Sequence, residues 1–232
     1  MTSCGKGKGN NSNNGRSNTN NSVFSSEDKL ATSYSKYIEA KSKMIESITN
    51  SESLSGNFGI SMSILGLTLI DAMALPATVC GLGESATTGL AFMFSGISYK
   101  EEGNKCIFTY KTNEGKKTIK LTAEYDAKTD SARMESYEED KLGLVSEYIK
   151  IGKGYASQYY SINEDGIIEV YKVFFTDKDI ATGIFGDVDS VPDSIYKNAS
   201  GLDFGWTKSD DFWVQIKDGK TTSIIDGEQV NY

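Results

Sequence analysis

The longest apolar stretch, from Phe58 to Ile97, constrains the fold more than any other feature of the chain. Only Asp71 and Glu84 carry charge among its forty residues. Exposing such a stretch to water costs about 25 cal/mol per Å² of apolar surface, so protein, lipid or a bound partner must cover it. Pro76 and nearby glycines interrupt it, which predicts short helices rather than one spanning helix. We expect an apolar helical hairpin whose second arm is Thr87 to Ile97.

Three roles for this hairpin stay open: a buried part of the core, a lid over a ligand cavity, or a hairpin that inserts into a membrane. The buried hairpin is the first expectation. Asp71 and Glu84 are expected to cap helices or to face solvent. If a cavity lies beside the hairpin, its candidate ligand-binding side chains are Ile64, Leu67, Leu90, Phe92 and Phe94.

A second, amphipathic helix is predicted before the apolar stretch. The residues from Ser25 to Asp28 have the S-x-x-D pattern of a helix start, and a stop region follows at Asn50 to Gly56. Between them, residues that can face a core recur at helical spacing. They are Leu30, Tyr34, Tyr37, Ile38, Lys41 through its aliphatic stem, Met44, Ile45 and Ile48.

Beyond Tyr99 the hydrophobic pattern has a period of two residues, which predicts β-strands joined by polar turns. Asn163 to Gly166, with the sequence N-E-D-G, is typical of a hairpin turn. The expected strands are Cys106 to Tyr110, Ile119 to Tyr125, Ala132 to Tyr137, Leu144 to Ile151, Tyr155 to Ile162, Ile167 to Phe175, Phe212 to Ile216 and Ser223 to Ile225. The strand from Ile167 to Phe175 is apolar on both faces, so it should lie in the middle of the sheet.

These patterns predict an α+β fold, in which the amphipathic helix and the apolar helical hairpin pack on a curved antiparallel β-meander of about eight strands. A one-layer sheet cannot leave its apolar face wet, and the apolar stretch is the largest surface that could cover it. The expected organisation is a polar tether at residues 1–24 and one domain at residues 25–232. Within that domain, residues 25–97 are helical and residues 98–232 form the meander.

The N-terminus resembles a localisation signal. A run rich in Asn, Gly and Ser follows MTSC, and such a run lacks the apolar side chains needed to fold. Small residues before Cys4, followed by a polar spacer and a helix, resemble the lipidation site of bacterial lipoproteins, although Met1 stands where that family usually has Leu. The resemblance implies lipidation of Cys4, export and anchoring at the outer face of the bacterial cell membrane. The alternative is a cytosolic chain with an exposed thiol at Cys4.

The composition excludes several mechanisms. The chain has no His, so Ser-His-Asp and Cys-His catalysis and His-ligated zinc are impossible. No P-loop or dinucleotide fingerprint occurs, and we expect neither an enzyme nor a cofactor. The net charge is −8, and residues 98–232 alone contribute −8, with 17 Lys or Arg against 25 Asp or Glu. An acidic body repels phosphate backbones, so nucleic acid is not an expected partner.

Three smaller features have both a structural and a functional interpretation. Cys80 and Cys106 are expected to be buried thiols, with a disulfide as the alternative. The acidic run from Asp187 to Asp193 begins like a calcium loop but has Val191 at the third ligand place, so a solvated turn is favoured and no metal site is expected. Tyrosines on the meander could stack on sugars, but half-buried sheets favour them anyway; these aromatics are Tyr148, Tyr155, Tyr159, Tyr160, Tyr171, Trp206 and Trp213.

Together these features favour a non-enzymatic, lipid-anchored cell-surface protein that binds a hydrophobic ligand or lipid between the apolar helices and the sheet. The alternatives are a structural or protein-interaction module of the cell surface, and a protein that inserts residues 58–97 into a membrane. The identity of any ligand or protein partner lies beyond the sequence.

Overall fold

The alternating residues beyond Tyr99 form an antiparallel sheet that is the main element of the chain. The computed structural model describes residues 29–51, 54, 58–74, 80–81, 85–91, 94–112, 115–200, 211–225 and 227–231. Within them, eleven strands pair in sequence order, each antiparallel to its neighbour. The strands are β1 (Ser95–Glu102), β2 (Lys105–Lys111), β3 (Thr118–Asp126), β4 (Ser131–Glu138), β5 (Lys141–Ile151), β6 (Gly154–Ile162), β7 (Ile168–Phe175), β8 (Ile180–Val188), β9 (Phe212–Lys217), β10 (Lys220–Ile225) and β11 (Glu228–Asn231).

The predicted fold class, an α+β fold with an apolar helical hairpin on about eight strands, is wrong. The described chain is mostly one eleven-stranded sheet, with helices α1 (Leu30–Thr49), α2 (Phe58–Met73) and the six-residue α3 (Ser85–Leu90). The expected second arm of the hairpin divides between α3 and β1. Ile97 and Tyr99 alternate toward the core while Ser95, Gly96 and Ser98 are exposed, so the end of the apolar stretch follows a strand period.

Helix α1 follows the predicted apolar stripe. Its buried residues are Leu30, Ser33, Tyr34, Tyr37, Lys41, Met44 and Ile48, and Ile38 and Ile45 pack against the same core. Burying one large apolar side chain of this kind contributes about 1.5–3 kcal/mol. The helix begins after Lys29, which makes no side-chain capping hydrogen bond. The predicted start at Ser25 to Asp28 lies outside the described residues.

Helices α1 and α2 cross the same face of the sheet in opposite directions. The N-terminal part of α1 meets β4 and β5, because Ser33 hydrogen-bonds Asp130 and Tyr148. In contrast, the middle of α2 lies over β7, where Gly66 is against Tyr171, and its C-terminal end lies near β3 and β4, where Ala74 and Met134 line one cavity. We call the face that these helices cover the inner face and the opposite one the outer face. The helical pair on the sheet is therefore α1 with α2.

One hydrophobic core joins the two helices to the inner face. Residues at alternate positions of β2 to β9 contribute to it, and so do buried residues of all three helices. The inner face carries Phe108, Ala123, Ala132, Met134, Tyr148, Tyr155, Tyr159, Val173, Phe175, Ile180, Phe212 and Val214. The alternation of these strands gives the sheet one apolar inner face, as the sequence pattern predicts.

Two glycines are required by the hairpins. Gly166 closes the predicted N-E-D-G turn between β6 and β7 with a φ of +83°, and the Asn163 side chain accepts hydrogen bonds from the N–H groups of Asp165 and Ile167. At Gly154 the reason is space, because a Cβ would lie 1.8 Å from the carbonyl oxygen of Phe175. Any side chain at position 154 would force β6 and β7 apart.

A disulfide joins Cys80, in the connection between α2 and α3, to Cys106 of β2. The two Cα atoms lie 5.8 Å apart, and both residues are buried. The favoured expectation of two buried free thiols is thus replaced by its alternative. The sequence could not bring the two residues together, because 26 residues separate them and the strand before Cys106 was not predicted. The bond ties the apolar connection to the edge of the sheet.

The segment from Asp189 to Ser200 covers part of the outer face. It is held by Glu147 of β5, whose side chain is fully buried. The carboxylate accepts hydrogen bonds from the Ser194 hydroxyl at 2.5 Å, from the Ile195 N–H at 3.0 Å and from the Gln158 side chain at 2.7 Å, and it is paired with Arg133. This set of charge-assisted hydrogen bonds fixes the segment on β4 to β6.

Candidate functional site

The predicted ligand-binding residues lie in the core as far as they are described. Ile64, Leu67 and Leu90 are buried, and Phe94 is partly buried against the same cluster. Phe92 and the acidic Glu84 lie outside the described residues. The structure thus brings Ile64, Leu67 and Leu90 to one side of the sheet, and their binding role remains a prediction.

A cavity beside α2 is too small for a lipid. It is lined by residues of α2 and of β3 to β5, among them Ile70, Ala74 and Met134, and its volume is about 20 Å³. A void of this size accommodates about one water molecule. A drug-sized or lipid-sized ligand needs several hundred Å³.

A buried polar cluster lies between the two long helices and the sheet. The Lys41 side chain is 1% exposed and its ammonium donates to both carboxylate oxygens of Asp71, at 2.9 and 2.8 Å. It also donates to the Leu67 carbonyl at 3.1 Å and to the Tyr159 hydroxyl at 3.0 Å. Tyr37 hydrogen-bonds both Tyr159 and Ser157. Asp71, expected as a cap or a solvated residue, is instead the counter-ion of a buried lysine.

Burial shifts the pKa values of this cluster. It raises the pKa of the Tyr37 and Tyr159 hydroxyls well above the usual range, and the nearby Asp71 carboxylate adds to the effect. Burial lowers the pKa of the Lys41 ammonium, an effect that Asp71 opposes. Because Lys41 and both tyrosines are closed off from solvent, the cluster positions α1 and α2 and offers no surface to a substrate.

A large open groove, which we call the α1 groove, runs along the first helix. Its volume is about 820 Å³. One wall is the exposed flank of α1, and the other is the end of the sheet where β5 to β10 turn. The lining consists of Lys36, Glu39, Ala40, Lys43, Met44, Ser47, Ser51, Lys150, Lys153, Tyr155, Phe175, Thr176, Asp177, Lys178, Ile180, Ile216, Gly219 and Thr221. A volume of this size fits a peptide segment or a small ligand.

The α1 groove has an apolar floor and a basic rim. The floor consists of buried side chains, including Met44, Tyr155 and Phe175. Five lysines and two acidic residues line the groove, a balance of +3 in a chain whose net charge is −8. Glu39 is paired with Lys43, and Asp177 is paired with Lys153. The groove is therefore suited to a ligand that combines apolar groups with negative charge.

The outer face carries a second exposed surface, which we call the outer patch. Its centre is the small buried cluster of Val145, Tyr160 and Val170. Around that cluster lie apolar side chains that are partly or largely exposed: Leu142, Ile162, Ile168, Phe185, Val188 and Val191. Val191 is the most exposed of them, at 48%. Contiguous apolar surface of this kind on a sheet is typical of interaction sites.

The aromatic and acidic candidates have ordinary environments. Tyr155 and Tyr159 share the inner face while Tyr160 lies on the outer face. Trp213 is buried, and Trp206 lies outside the described residues. The carboxylates of the Asp187 to Asp193 run are exposed. Within the described part of the chain, no group of three or more Cys, Asp or Glu side chains is arranged to hold a metal ion.

Sequence reasoning missed both open surfaces. The α1 groove combines one helix with three turns that lie more than a hundred residues away, and no local pattern connects them. A usable signal was the presence of lysine in two of these turns, at Lys153 and Lys178. The outer patch had a clearer signal, because strand β7 is apolar on both faces.

Comparisons with protein-family models, with curated proteins and with solved structures found no match to this chain. Its fold and its surfaces therefore rest on its own residues. In the part of the chain that the structure describes, no helix has the length and hydropathy needed to cross a membrane.

Proposed function

We propose that the protein is a non-enzymatic protein-interaction module of the bacterial cell surface and that it binds partners in the α1 groove. The observation that carries the proposal is the groove itself, which is open, apolar at its floor and lined by an excess of lysine. By contrast, the described cavity beside α2 holds about 20 Å³. A shallow groove with a charged rim fits a polypeptide better than a lipid chain, which must be enclosed on most of its surface.

The partner of this groove is a segment in which apolar and acidic side chains alternate. Apolar side chains would pack on Met44, Tyr155 and Phe175, and carboxylates would pair with the lysines of the rim. Lys36 and Lys178 lie on opposite walls, and no ion pair with another described residue is seen for either. They are thus available to anionic groups of a partner, and their contribution should weaken as salt screens it.

A peptide titration tests this function. We expect a fluorescently labelled peptide of alternating Glu and Leu to bind the full chain, and a Lys-Leu peptide of equal length not to bind. The variant Lys36→Glu/Lys178→Glu should weaken Glu-Leu binding about tenfold, because two favourable pairs become repulsive. Lys111→Glu, one lysine reversal of the same kind on β2, is the control and should bind normally. Equal binding of both peptides, or no binding of either, would refute the proposal.

The location of the protein in the cell is part of the same proposal. A lipid on Cys4 would hold the protein at the outer face of the cell membrane, with residues 1–24 as the tether. Cys4 and the tether lie outside the described residues, so the support is the small residues before Cys4 and the polar run after it.

Binding of a hydrophobic ligand is the second candidate, favoured by the apolar floor of the α1 groove. Native mass spectrometry of the protein purified from its own cells tests both the anchor at Cys4 and the bound lipid. A mass increment on the N-terminal peptide supports the anchor at Cys4, and an increment that is lost on denaturation supports a bound lipid. If neither increment is found, the anchor and the lipid ligand are both excluded.

A further inference from the structure

The segment from Asp187 to Asp193 has the chemistry that the α1 groove requires. Its sequence, D-V-D-S-V-P-D, alternates carboxylates with apolar residues. Val188 and Val191 belong to the outer patch, and Asp187, Asp189 and Asp193 are exposed beside them. The acidic run thus forms a negatively charged rim on an apolar surface.

This segment is held in place rather than free to collapse. The Asp193 carbonyl accepts a hydrogen bond from the buried Gln158 side chain at 2.8 Å, and Ser194 and Ile195 are bound by Glu147. A segment that is already ordered loses less conformational entropy when it binds. The outer patch therefore presents its acidic and apolar groups in a fixed arrangement.

We infer that the partner of the α1 groove is a second copy of this chain, which inserts its Asp187 to Asp193 segment and outer patch into the groove. The inference rests on the proposed function and names its partner. Charge complementarity carries it, because the groove lining has an excess of three positive charges and the segment carries three carboxylates. The apolar groups match as well, since Val188 and Val191 would meet the floor at Met44, Tyr155 and Phe175.

The two surfaces lie at opposite ends of the same strands. Ile162 pairs with Ile168 at the patch end of β6 and β7, whereas Tyr155 pairs with Phe175 at the groove end. The patch is on the outer face, and the groove adjoins the inner face under α1. One molecule therefore cannot fill its own groove. A patch-to-groove contact is heterologous, so it joins copies head to tail and extends into chains unless the rotation closes a ring.

Sedimentation velocity on the full chain tests the inference, with Cys4→Ser added to prevent intermolecular disulfides. We expect the weight-average sedimentation coefficient to rise over a concentration series and to fall again in high salt. Either Asp189→Lys/Asp193→Lys in the patch or Lys36→Glu/Lys178→Glu in the groove should weaken association about tenfold. The controls are Glu102→Lys and Lys111→Glu, one charge reversal of each sign near the other edge of the sheet, and both should associate normally.

Combining the four reversals gives the decisive result. If the patch of one copy meets the groove of another, the combined variant has reversed charges on both sides of the contact and should regain most of the association. Thermal melts check that each variant is folded. A chain that stays monomeric, or association that none of the reversals changes, overturns the inference. A monomeric chain that still binds the Glu-Leu peptide would leave the proposed function standing, whereas failure of both experiments would remove both.

Discussion

A buried lysine and its carboxylate determine how α1 and α2 fit together. Lys41 was assigned to the core-facing stripe only through its aliphatic stem, but its ammonium is buried as well and meets Asp71 of α2. Two charges taken out of water lose hydration, and their attraction offsets this cost only when the remaining hydrogen bonds are made. Here the Leu67 carbonyl and the Tyr159 hydroxyl complete the set. The pair therefore specifies which faces of the two helices meet.

Removing one member of this pair should be costly. We expect Lys41→Met to lower the free energy of unfolding by about 3 kcal/mol, because Asp71 is left as a largely buried, unpaired charge. The double variant Lys41→Met/Asp71→Leu should cost less than the sum of the single changes. Urea denaturation followed by circular dichroism measures these values.

The matched control is on the same helix. Lys43 is paired with Glu39 at 2.7 Å, but both side chains are 70% exposed. Lys43→Met should change the free energy of unfolding by less than about 0.5 kcal/mol. Similar effects of Lys41→Met and Lys43→Met would show that the buried pair contributes no more to the free energy of unfolding than the exposed pair does.

The disulfide acts on an element rather than on a single residue. It closes the part of the chain between Cys80 and Cys106, which contains α3 and the edge strand β1. A loop of this length, once cross-linked, lowers the entropy of the unfolded chain by an amount equivalent to about 3 kcal/mol. The bond therefore supports the part of the sheet that has the fewest neighbouring strands.

Replacing both cysteines should reproduce the effect of reduction. In a Cys4→Ser background, we expect Cys80→Ser/Cys106→Ser to lose about 3 kcal/mol of stability. Adding a reductant should destabilise the parent chain by a similar amount and leave the double variant unchanged. Guanidinium titrations with and without reductant measure both. A parent chain that is indifferent to reductant would contradict the structural role of the bond.

At the scale of elements, the sequence predicted the positions of the strands better than it predicted their number or the helices that pack on them. All eight expected strands are present, because their residues alternate cleanly and polar turns separate them. Three strands were missed for physical reasons. Strand β1 follows directly on an apolar stretch with a helical appearance, β8 contains Gly183 and Gly186, which lower strand propensity, and β11 has four residues.

The candidate sites were harder to predict than the strands. Ile64 and Leu67 were chosen because an apolar helix must face something, but periodicity cannot distinguish a packed core from a ligand cavity. The α1 groove depends on Lys36 and residues such as Lys178 lying together, and only the register of the sheet brings them to the same end. Asp71 could not be assigned to Lys41 because 30 residues separate them and the direction of α2 was unknown.

At the scale of the whole molecule, each described strand pairs with its neighbours in the sequence, so that the sheet has the order β1 to β11. Central strands lie between two partners and under α1 and α2, whereas β1 and β11 have one described partner strand each. Such an arrangement does not unfold uniformly, because strands at the edges lose fewer contacts when they open.

Amide hydrogen exchange should reveal this gradient. We expect the N–H groups of β5 to β7 to exchange at least about tenfold more slowly than those of β1 and β10. Strand β1 lies at one edge of the described sheet, and β10 lies next to the other edge. Mass spectrometry of peptic fragments resolves the strands, and β9 serves as the intermediate case. Uniform protection from β1 to β10 would mean that the sheet opens as one cooperative unit.

The order of the strands also bears on how the chain acquires its structure as it leaves the ribosome. Each strand from β2 onward can pair with the one that emerged just before it, so most of the sheet can assemble by vectorial growth. The two long helices are exceptions, and α1 is the first to emerge. Helix α1 emerges before the sheet, yet Ser33 bonds residues 97 and 115 positions downstream, and Tyr37 bonds residues 120 and 122 positions downstream. Its apolar side must stay shielded until β6 exists, so α1 is a segment on which a chaperone would act.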